Sequence, residues 1–355
     1  MKNNSKRCSL ILALALVCFY ARVQAAGQDG SNSDSTGPSF VRPLIGYVFD
    51  AGAGQIRTIA GTPGAARVAE AVTLDTAVQQ VLIRPAGSYA VASVPAGTTL
   101  MLIRGLDSQA ASTPITGSIA NFKSGAFSPS GASAILYGSE CACVQIISGF
   151  PDSPSISRTI DAAGLPGDVA ALAVNDTSSL AAVAVSGSKD GSSSGQVLVF
   201  NLNTTDPPNS ISASAPAAIA FSPSGKDLAI VDAGNQSLLV VSDVAGGGAI
   251  LNVLGQADGL TTPGAVAFAS GNLLLTGDSA GQTYLTDLQT NQTTSVSCYC
   301  KPSIVEPTAL KSTYRLTGID TGAVWILTIG DTDAHALFVP VDANSGGVTQ
   351  AGSTP

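Results

Sequence analysis

The chain has 355 residues, of which 45% are hydrophobic and only 11% are charged, and it includes 38 glycines. This composition is too apolar and too weakly charged for an intrinsically disordered chain. The net charge of −8 disfavours binding to nucleic acid, because nucleic acid is a polyanion.

Residues 1–25 have the pattern of a signal peptide for export. Lys2, Lys6 and Arg7 precede the apolar run 10–19, and small residues stand at the expected cleavage position. This apolar run is shorter than the roughly 20 residues that a membrane-spanning helix needs. We therefore expect a secreted or periplasmic protein of the bacterial cell envelope with no transmembrane segment. Its net charge, once the four basic residues of the signal are removed, is about −12, which again disfavours nucleic acid.

Residues 26–38 are rich in Gly, Ser, Asp and Asn, and this composition predicts a flexible lead-in. Beyond the lead-in, aspartate greatly outnumbers glutamate, since Glu70, Glu140 and Glu306 are the only glutamates. Aspartate favours turns, whereas glutamate favours helices. Together with many Val, Ile, Leu and Thr residues, this bias predicts a β-rich chain with many turns.

Residues 39–343 contain an internal repeat of roughly forty-odd residues. The sequence Phe-Ser-Pro-Ser-Gly occurs at 127–131 and again at 221–225, and degenerate copies begin at other positions. Anchors at equivalent positions mark seven units, although the first and last anchors lack the Pro/Ser/Gly turn. The anchors are Val41, Ile83, Phe127, Val174, Phe221, Phe268 and Leu310.

Each unit has the same order of predicted strands. An apolar strand, an Asp/Gly turn and another strand follow the anchor in residues 228–241, and residues 47–59 and 273–285 repeat this order. A fourth strand is fainter, for example at 250–253. Small sheets cannot cover both of their faces alone, but radially stacked sheets cover each other. The pattern predicts an all-β fold, a single β-propeller of seven four-stranded antiparallel blades. Six or eight blades, or tandem β-sandwiches, are the alternatives.

This order of strands and turns resembles bacterial exported β-propellers of the YVTN, lactonase-like and WD-repeat-like kind. The resemblance covers roughly residues 41–341 and implies the fold alone, because the same order occurs in proteins of unrelated function. It assigns no active-site residue, and Trp325 is followed by Ile326 rather than preceding an aspartate. For residues 344–355 two interpretations stay open, a flexible tail or a segment that closes the ring by pairing with the first blade.

Four cysteines lie beyond the signal segment, as two pairs with one residue between the members. The four are Cys141, Cys143, Cys298 and Cys300. An even number of cysteines in an exported protein favours disulfides, with three possible pairings. We expect a bridge within each pair, because a bridge between units three and six would have to span the ring. A zinc site is the alternative, although zinc sites usually have wider spacing. Both pairs are expected on the same rim.

Few residues could carry catalysis. His335 is the only histidine, which excludes a site built from two or more imidazoles, and we interpret it as a surface residue. Asp50, Asp232 and Asp278 follow equivalent strands, where we expect their carboxylates to cap backbone N–H groups. Calcium binding at these turns is the alternative. The sequence predicts no catalytic residue, no metal ligand and no cofactor.

Two functional hypotheses remain. The first is a monomeric, non-enzymatic propeller that presents a rim of loops to a protein, a glycan or a surface polymer. The second is a lactonase-like hydrolase that uses acidic residues or a divalent cation in the central channel, and it depends on the fold resemblance alone. Three or more Asp, Glu, Asn or His side chains meeting at the channel mouth would favour the hydrolase.

Overall fold

The computed structural model describes residues 43–85, 87–187, 194–319 and 322–342. The predicted signal peptide, lead-in and tail lie outside the described residues. Within them the chain forms 27 β-strands and one 3₁₀ turn, η1 (Gln256–Asp258). The prediction of an all-β chain is therefore confirmed. No helix among these residues is long and apolar enough to cross a membrane.

The strands form seven antiparallel sheets in chain order. Blade 1 contains β1 (Leu44–Asp50), β2 (Gln55–Ala60) and β3 (Arg67–Ala71). Blade 2 contains β4 (Gln80–Ile83), β5 (Tyr89–Ser93), β6 (Met101–Arg104) and β7 (Ala111–Pro114). Blade 3 contains β8 (Ser124–Phe127), β9 (Ser133–Gly138), β10 (Cys143–Ser148) and β11 (Ser155–Asp161). Blade 4 contains β12 (Asp168–Val174), β13 (Leu180–Ser186), β14 (Gly195–Asn201) and β15 (Asn209–Ala213).

The last three blades continue this arrangement. Blade 5 contains β16 (Pro216–Phe221), β17 (Leu228–Asp232), β18 (Ser237–Val241) and β19 (Ile250–Leu254). Blade 6 contains β20 (Pro263–Phe268), β21 (Leu273–Asp278), β22 (Gln282–Asp287) and β23 (Gln292–Ser297). Blade 7 contains β24 (Glu306–Pro307), β25 (Thr313–Arg315), β26 (Val324–Ile329) and β27 (Ala334–Val339). In blades 2 to 7 the first strand is the inner one and the fourth is the outer one.

The hydrophobic core is divided among the interfaces between consecutive blades. Between blades 4 and 5, for example, Ala182 and Ala184 of one sheet belong to the same buried cluster as Ile230 of the next. An equivalent cluster joins each other adjacent pair. Blade 7 also packs on blade 1, through Val324 and Ile45 among others, so the ring is closed. Each sheet therefore covers a face of the next, and the seven-blade prediction is confirmed.

Five of the seven sequence anchors mark the last residue of an inner strand. They are Ile83, Phe127, Val174, Phe221 and Phe268. The anchor Leu310 is wrong, because inner strand β24 already ends at Pro307 and Leu310 lies in the following turn. Blade 7 lacks the Pro/Ser/Gly turn, so its sequence does not mark the strand end. Val41 lies outside the described residues.

In blade 1 the described residues form three strands. They correspond to the second, third and outer strands of the other blades. The segment that follows the last strand of blade 7 joins the outer edge of blade 1, where Val341 forms a parallel bridge with Val68. The Val68 N–H donates to the Pro340 carbonyl at 2.8 Å, and the Asp342 N–H donates to the Val68 carbonyl at 3.2 Å.

Candidate binding face and central channel

The antiparallel order of the strands gives the propeller two different faces. Turns between second and third strands lie at the same end as the connections between blades, whereas the other turns lie at the opposite end. We call the first of these the connection face. Its described turns are 51–54, 94–100, 139–142, 233–236 and 279–281, and its connections are 72–79, 115–123, 162–167, 214–215, 255–262 and 298–305.

Asp232 fixes one part of the connection face. Its carboxylate is 1% exposed and stands at the end of β17. It accepts hydrogen bonds from the Ser214 and Ala215 N–H groups of the connection at 2.8 and 2.9 Å, and from the Asn235 side-chain amide at 2.8 Å. Burial raises the pKa of Asp232, but the hydrogen bonds outweigh it and the pKa lies below its usual value of 3.8.

Asp278 fixes the corresponding part of the connection face in blade 6. Its buried carboxylate accepts from the Thr261 N–H at 2.7 Å, from the Thr262 hydroxyl at 2.7 Å and from the Ala280 N–H at 2.8 Å. Burial again raises the pKa of Asp278, and the hydrogen bonds lower it below the usual value. Each aspartate therefore ties a turn within its blade to the connection that precedes the blade.

Asp50 occupies the equivalent position in blade 1 but is more exposed. It accepts from the Ala53 N–H at 3.1 Å and lies 3.8 Å from the Arg57 guanidinium. The prediction that the three aspartates cap turns thus agrees with their hydrogen bonds. The described residues hold no group of three or more His, Cys, Asp or Glu side chains that could bind a metal.

Cys141 lies in the turn of blade 3 that corresponds to the aspartate turns, and Cys143 begins the strand after it, β10. Their Sγ atoms are 2.04 Å apart, at bonding distance. The strand before this turn ends at Gly138, which pairs with Cys143 as Asp232 pairs with Ser237. A Cβ atom at Gly138 would lie 2.8 Å from the Cys141 Sγ, so only glycine fits there. In blade 3 a pair of sulfur atoms therefore replaces the carboxylate.

Cys298 and Cys300 lie in the connection between blades 6 and 7, with their Sγ atoms 2.00 Å apart. The Cys298 N–H donates to the Gly281 carbonyl at 2.9 Å, which fixes this loop on the turn that Asp278 caps. Gly281 has φ of +98°, and a Cβ there would approach the Cys298 carbonyl to 3.0 Å. The pairing within each Cys-x-Cys segment is the one the sequence predicted, and both pairs lie on the connection face.

Tyr299, between these two cysteines, is 99% exposed. Tyr299 is not among the functional residues predicted from the sequence. Two signals could have identified it: the chain is poor in aromatic residues, at 5%, and this tyrosine lies inside a predicted disulfide loop. The structure adds that the ring points away from the protein surface, whereas most of the other tyrosines are buried or half-buried.

The central channel contains a cavity of about 550 Å³. It is lined by the inner strands of blades 2 to 7 and by the turns that follow several of them. Its lining consists mainly of small and apolar residues, and its carboxylates among the described residues are Asp176 and Glu306. Asp176 accepts from the Ser130 N–H at 2.8 Å, and Glu306 forms an ion pair with Arg315. The described lining therefore holds fewer than the three Asp, Glu, Asn or His side chains that would favour a hydrolase.

His335 lies at the beginning of β27, near the turn between the third and outer strands of blade 7. Its side chain is 64% exposed and its Nε2 atom lies 3.0 Å from Asp333 Oδ2. That turn belongs to the face opposite the connection face. The structure thus places His335 on the surface and does not include it among the residues that line the channel.

Comparisons with known proteins identify the fold and nothing finer. No protein-family model matches the chain, and no curated protein sequence is similar to it. Among solved structures, the chain is similar to hydrazine synthase of Kuenenia stuttgartiensis, with 12% identity and a TM-score of 0.56, over 85% of this chain and 99% of the other. It is also similar to a functionally unknown protein of Desulfotomaculum acetoxidans, with 14% identity and a TM-score of 0.54, over 84% and 100% of the two chains. At these identities the likeness establishes a shared β-propeller fold alone.

Proposed function

We propose that this chain is an exported, non-enzymatic β-propeller that binds a protein or glycan partner through its connection face. The observation that carries this proposal is the Tyr299 side chain, which is 99% exposed on a loop closed by two cysteines. Aromatic side chains are enriched among the residues that dominate binding energy, and tyrosine supplies a large contact area with few rotatable bonds. A loop that is already ordered loses less conformational entropy on binding.

The surroundings of Tyr299 support a rigid recognition surface. The buried carboxylate of Asp278 accepts hydrogen bonds from the adjacent turn and connection, and the Gly281 carbonyl accepts the hydrogen bond from the Cys298 N–H. Asp232 holds the preceding connection in the same way. A platform fixed at several points keeps its loops in the geometry that a partner meets.

The compartment is part of the same proposal. Cysteines at bonding distance on an exposed face favour an oxidising environment outside the cytoplasm, where such bonds persist. The acidic net charge favours partners other than nucleic acid. We therefore propose a monomer of the periplasm or the cell exterior whose partner is a protein, glycan or surface polymer of the cell envelope.

The test compares two exposed aromatic residues on different surfaces. Tyr299→Ala removes the ring on the connection face, and Phe338→Ala removes a ring that is 53% exposed on the outer strand of blade 7. Wild type and both variants are titrated against fractionated envelope proteins and against a glycan array. We expect Tyr299→Ala to weaken binding about tenfold or more, which corresponds to about 1.4 kcal/mol, and Phe338→Ala to leave it unchanged. Equal binding by all three proteins, or no binding by the wild type, would contradict the proposal.

A further inference from the structure

The central channel is a second candidate binding site, separate from the connection face. Its cavity of about 550 Å³ lies within the range that sites for small molecules usually occupy. Small residues on the inner strands leave this space open, since several of them line the cavity and are only half-buried. They are Gly125, Ala126, Ala218, Ala220 and Ala267. The channel therefore has room for a small organic molecule with an apolar body.

The charges of the lining select the sign of such a ligand. Among the described residues, the lining holds the carboxylates of Asp176 and Glu306 and no Lys, Arg or His side chain. Arg315 neutralises Glu306 through an ion pair. Asp176, in contrast, forms no ion pair with any Lys or Arg of the described residues. Its negative charge repels an anion and attracts a cation in the channel.

Asp176 is held in position by the neighbouring blade. It is half-buried in the turn after β12, and its Oδ1 atom accepts from the Ser130 N–H at 2.8 Å and from the Ser130 hydroxyl at 2.7 Å. Arg84 also binds Ser130, since its Nη2 donates to the Ser130 carbonyl at 2.8 Å, but Arg84 does not line the cavity. The Oδ2 atom of Asp176 accepts no hydrogen bond from a described residue. One oxygen of a fixed carboxylate is thus open to a ligand.

Two phenylalanine rings lie at the same end of the channel as Asp176. Phe127 and Phe268 are the last residues of the inner strands β8 and β20, which end on the face opposite the connection face. The turn that contains Asp176 lies on that face too. Both rings line the cavity and are half-buried. An aromatic ring attracts a cation placed over its face.

These surroundings suit an organic cation better than a metal ion. Calcium takes six to eight oxygen ligands, whereas the described residues hold no group of three Asp, Glu, His or Cys side chains that could bind a metal. An organic ammonium ion needs only one carboxylate and gains from apolar and aromatic neighbours. We propose that this end of the channel binds an organic ammonium ion, whose nitrogen contacts Asp176 Oδ2 and whose apolar body lies along the inner strands. The proposal does not depend on the partner of the connection face, which lies at the other end of the propeller.

The first experiment compares three probes that share one apolar chain and differ in charge. Octylammonium, octanol and octanoate are titrated by calorimetry, at low ionic strength, into the chain expressed with its predicted signal peptide. We expect octylammonium to bind at one site about tenfold more tightly than octanol, and octanoate to bind most weakly. Any other order of affinity, or no binding of octylammonium, would overturn the proposal.

The second experiment removes the charge of Asp176. Asp176→Asn keeps a side-chain carbonyl that can accept from Ser130, and Asp152→Asn is the matched control, because Asp152 is exposed on the same face and does not line the cavity. Asp176→Asn should weaken octylammonium binding about tenfold and leave octanol binding unchanged. The control should bind both probes as the wild type does. An equal effect of the two substitutions, or no effect of Asp176→Asn, would contradict the proposal.

A further variant tests the aromatic contribution without changing any charge. Phe268→Leu keeps an apolar side chain at the channel and removes the ring, so it should weaken octylammonium binding about threefold and leave octanol binding unchanged. Phe338→Leu, on the outer strand of blade 7, should change neither. Circular dichroism of each variant verifies the fold. An equal loss for both probes in Phe268→Leu would show that the ring supplies apolar contact alone, which contradicts the proposed cation site.

Discussion

The turn between the second and third strands of a blade is held by hydrogen bonds in blades 5 and 6 and by two cysteines in blade 3. In blades 5 and 6 the second strand ends in a buried aspartate, whose carboxylate accepts several N–H groups from two segments of chain. In blade 3 that strand ends in Gly138, and Cys141 and Cys143 face each other across the turn. The turns at this position are thus held by two different chemistries.

The aspartates and the cysteine pair differ in which segments of the chain they connect. Asp232 and Asp278 bind the preceding connection as well as their own turn, so they join two consecutive blades. The cysteine pair closes a loop of three residues, and this loop meets the following connection through the backbone alone, where the Ala142 carbonyl accepts from the Ala162 N–H at 2.8 Å. We therefore infer that the aspartates stabilise the ring, whereas the cysteines mainly order a loop on the connection face.

The largest expected effect comes from removing an aspartate. Asp278→Ala leaves the Thr261, Thr262 and Ala280 N–H groups and two threonine hydroxyls without the buried carboxylate that accepts from them, and it should lower the free energy of unfolding by about 2 kcal/mol. Asp152→Ala is the matched control, because Asp152 is an exposed aspartate in a turn of blade 3. Urea unfolding followed by far-ultraviolet circular dichroism measures both. Equal stability of the two variants would contradict the role we assign to Asp278.

A smaller effect is expected from the cysteines of blade 3. Cys141→Ser with Cys143→Ser opens a loop of three residues, and the chain-entropy relation gives a loss of about 1–2 kcal/mol for so short a loop. The same unfolding experiment, with and without a reductant, measures this loss. A loss larger than that of Asp278→Ala would reverse the comparison between the two kinds of turn.

The smallest effect is a dependence of stability on pH, to which the aspartate turns should contribute and the cysteine turn should not. The pKa values of Asp232 and Asp278 in the folded protein lie below their usual value of 3.8. The carboxylates therefore contribute stability that is fully present above that value and is lost as the pH falls through the lower, folded pKa. Asp278→Asn should lose less stability than the wild type between pH 5 and pH 2 (about the range in which carboxylates protonate). The cysteine variant should lose as much as the wild type, and a parallel loss in all three proteins would contradict the assignment.

The sequence predicts most of this fold, because its repeated turns mark the ends of strands. Phe127 and Phe221 end inner strands because each is followed by a Pro/Ser/Gly turn, whereas the anchor Leu310 was wrong because blade 7 lacks that turn. The capping role of Asp232 was predictable from its position after a strand. The hydrogen bond from the Ser214 N–H to Asp232 was not predictable, because the two residues are 18 positions apart and come together only in the folded protein.

Less of the candidate site was predictable. The pairing of the cysteines within each segment follows from their spacing and from the geometry of the ring. The exposure of Tyr299 depends on how its loop lies on Gly281, which is a tertiary contact that no local pattern records.

The central claim is that buried aspartates fix the connection face as a rigid platform, and hydrogen exchange of single amides tests it most directly. The amides of Ser214, Ala215, Thr261 and Thr262 donate to Asp232 or Asp278. We predict that they exchange as slowly as the amides of β17, and that Asp278→Ala accelerates exchange at Thr261 and Thr262 but not at Ser214 and Ala215. Rapid exchange of all four in the wild type, at the rate of an exposed turn, would contradict the claim.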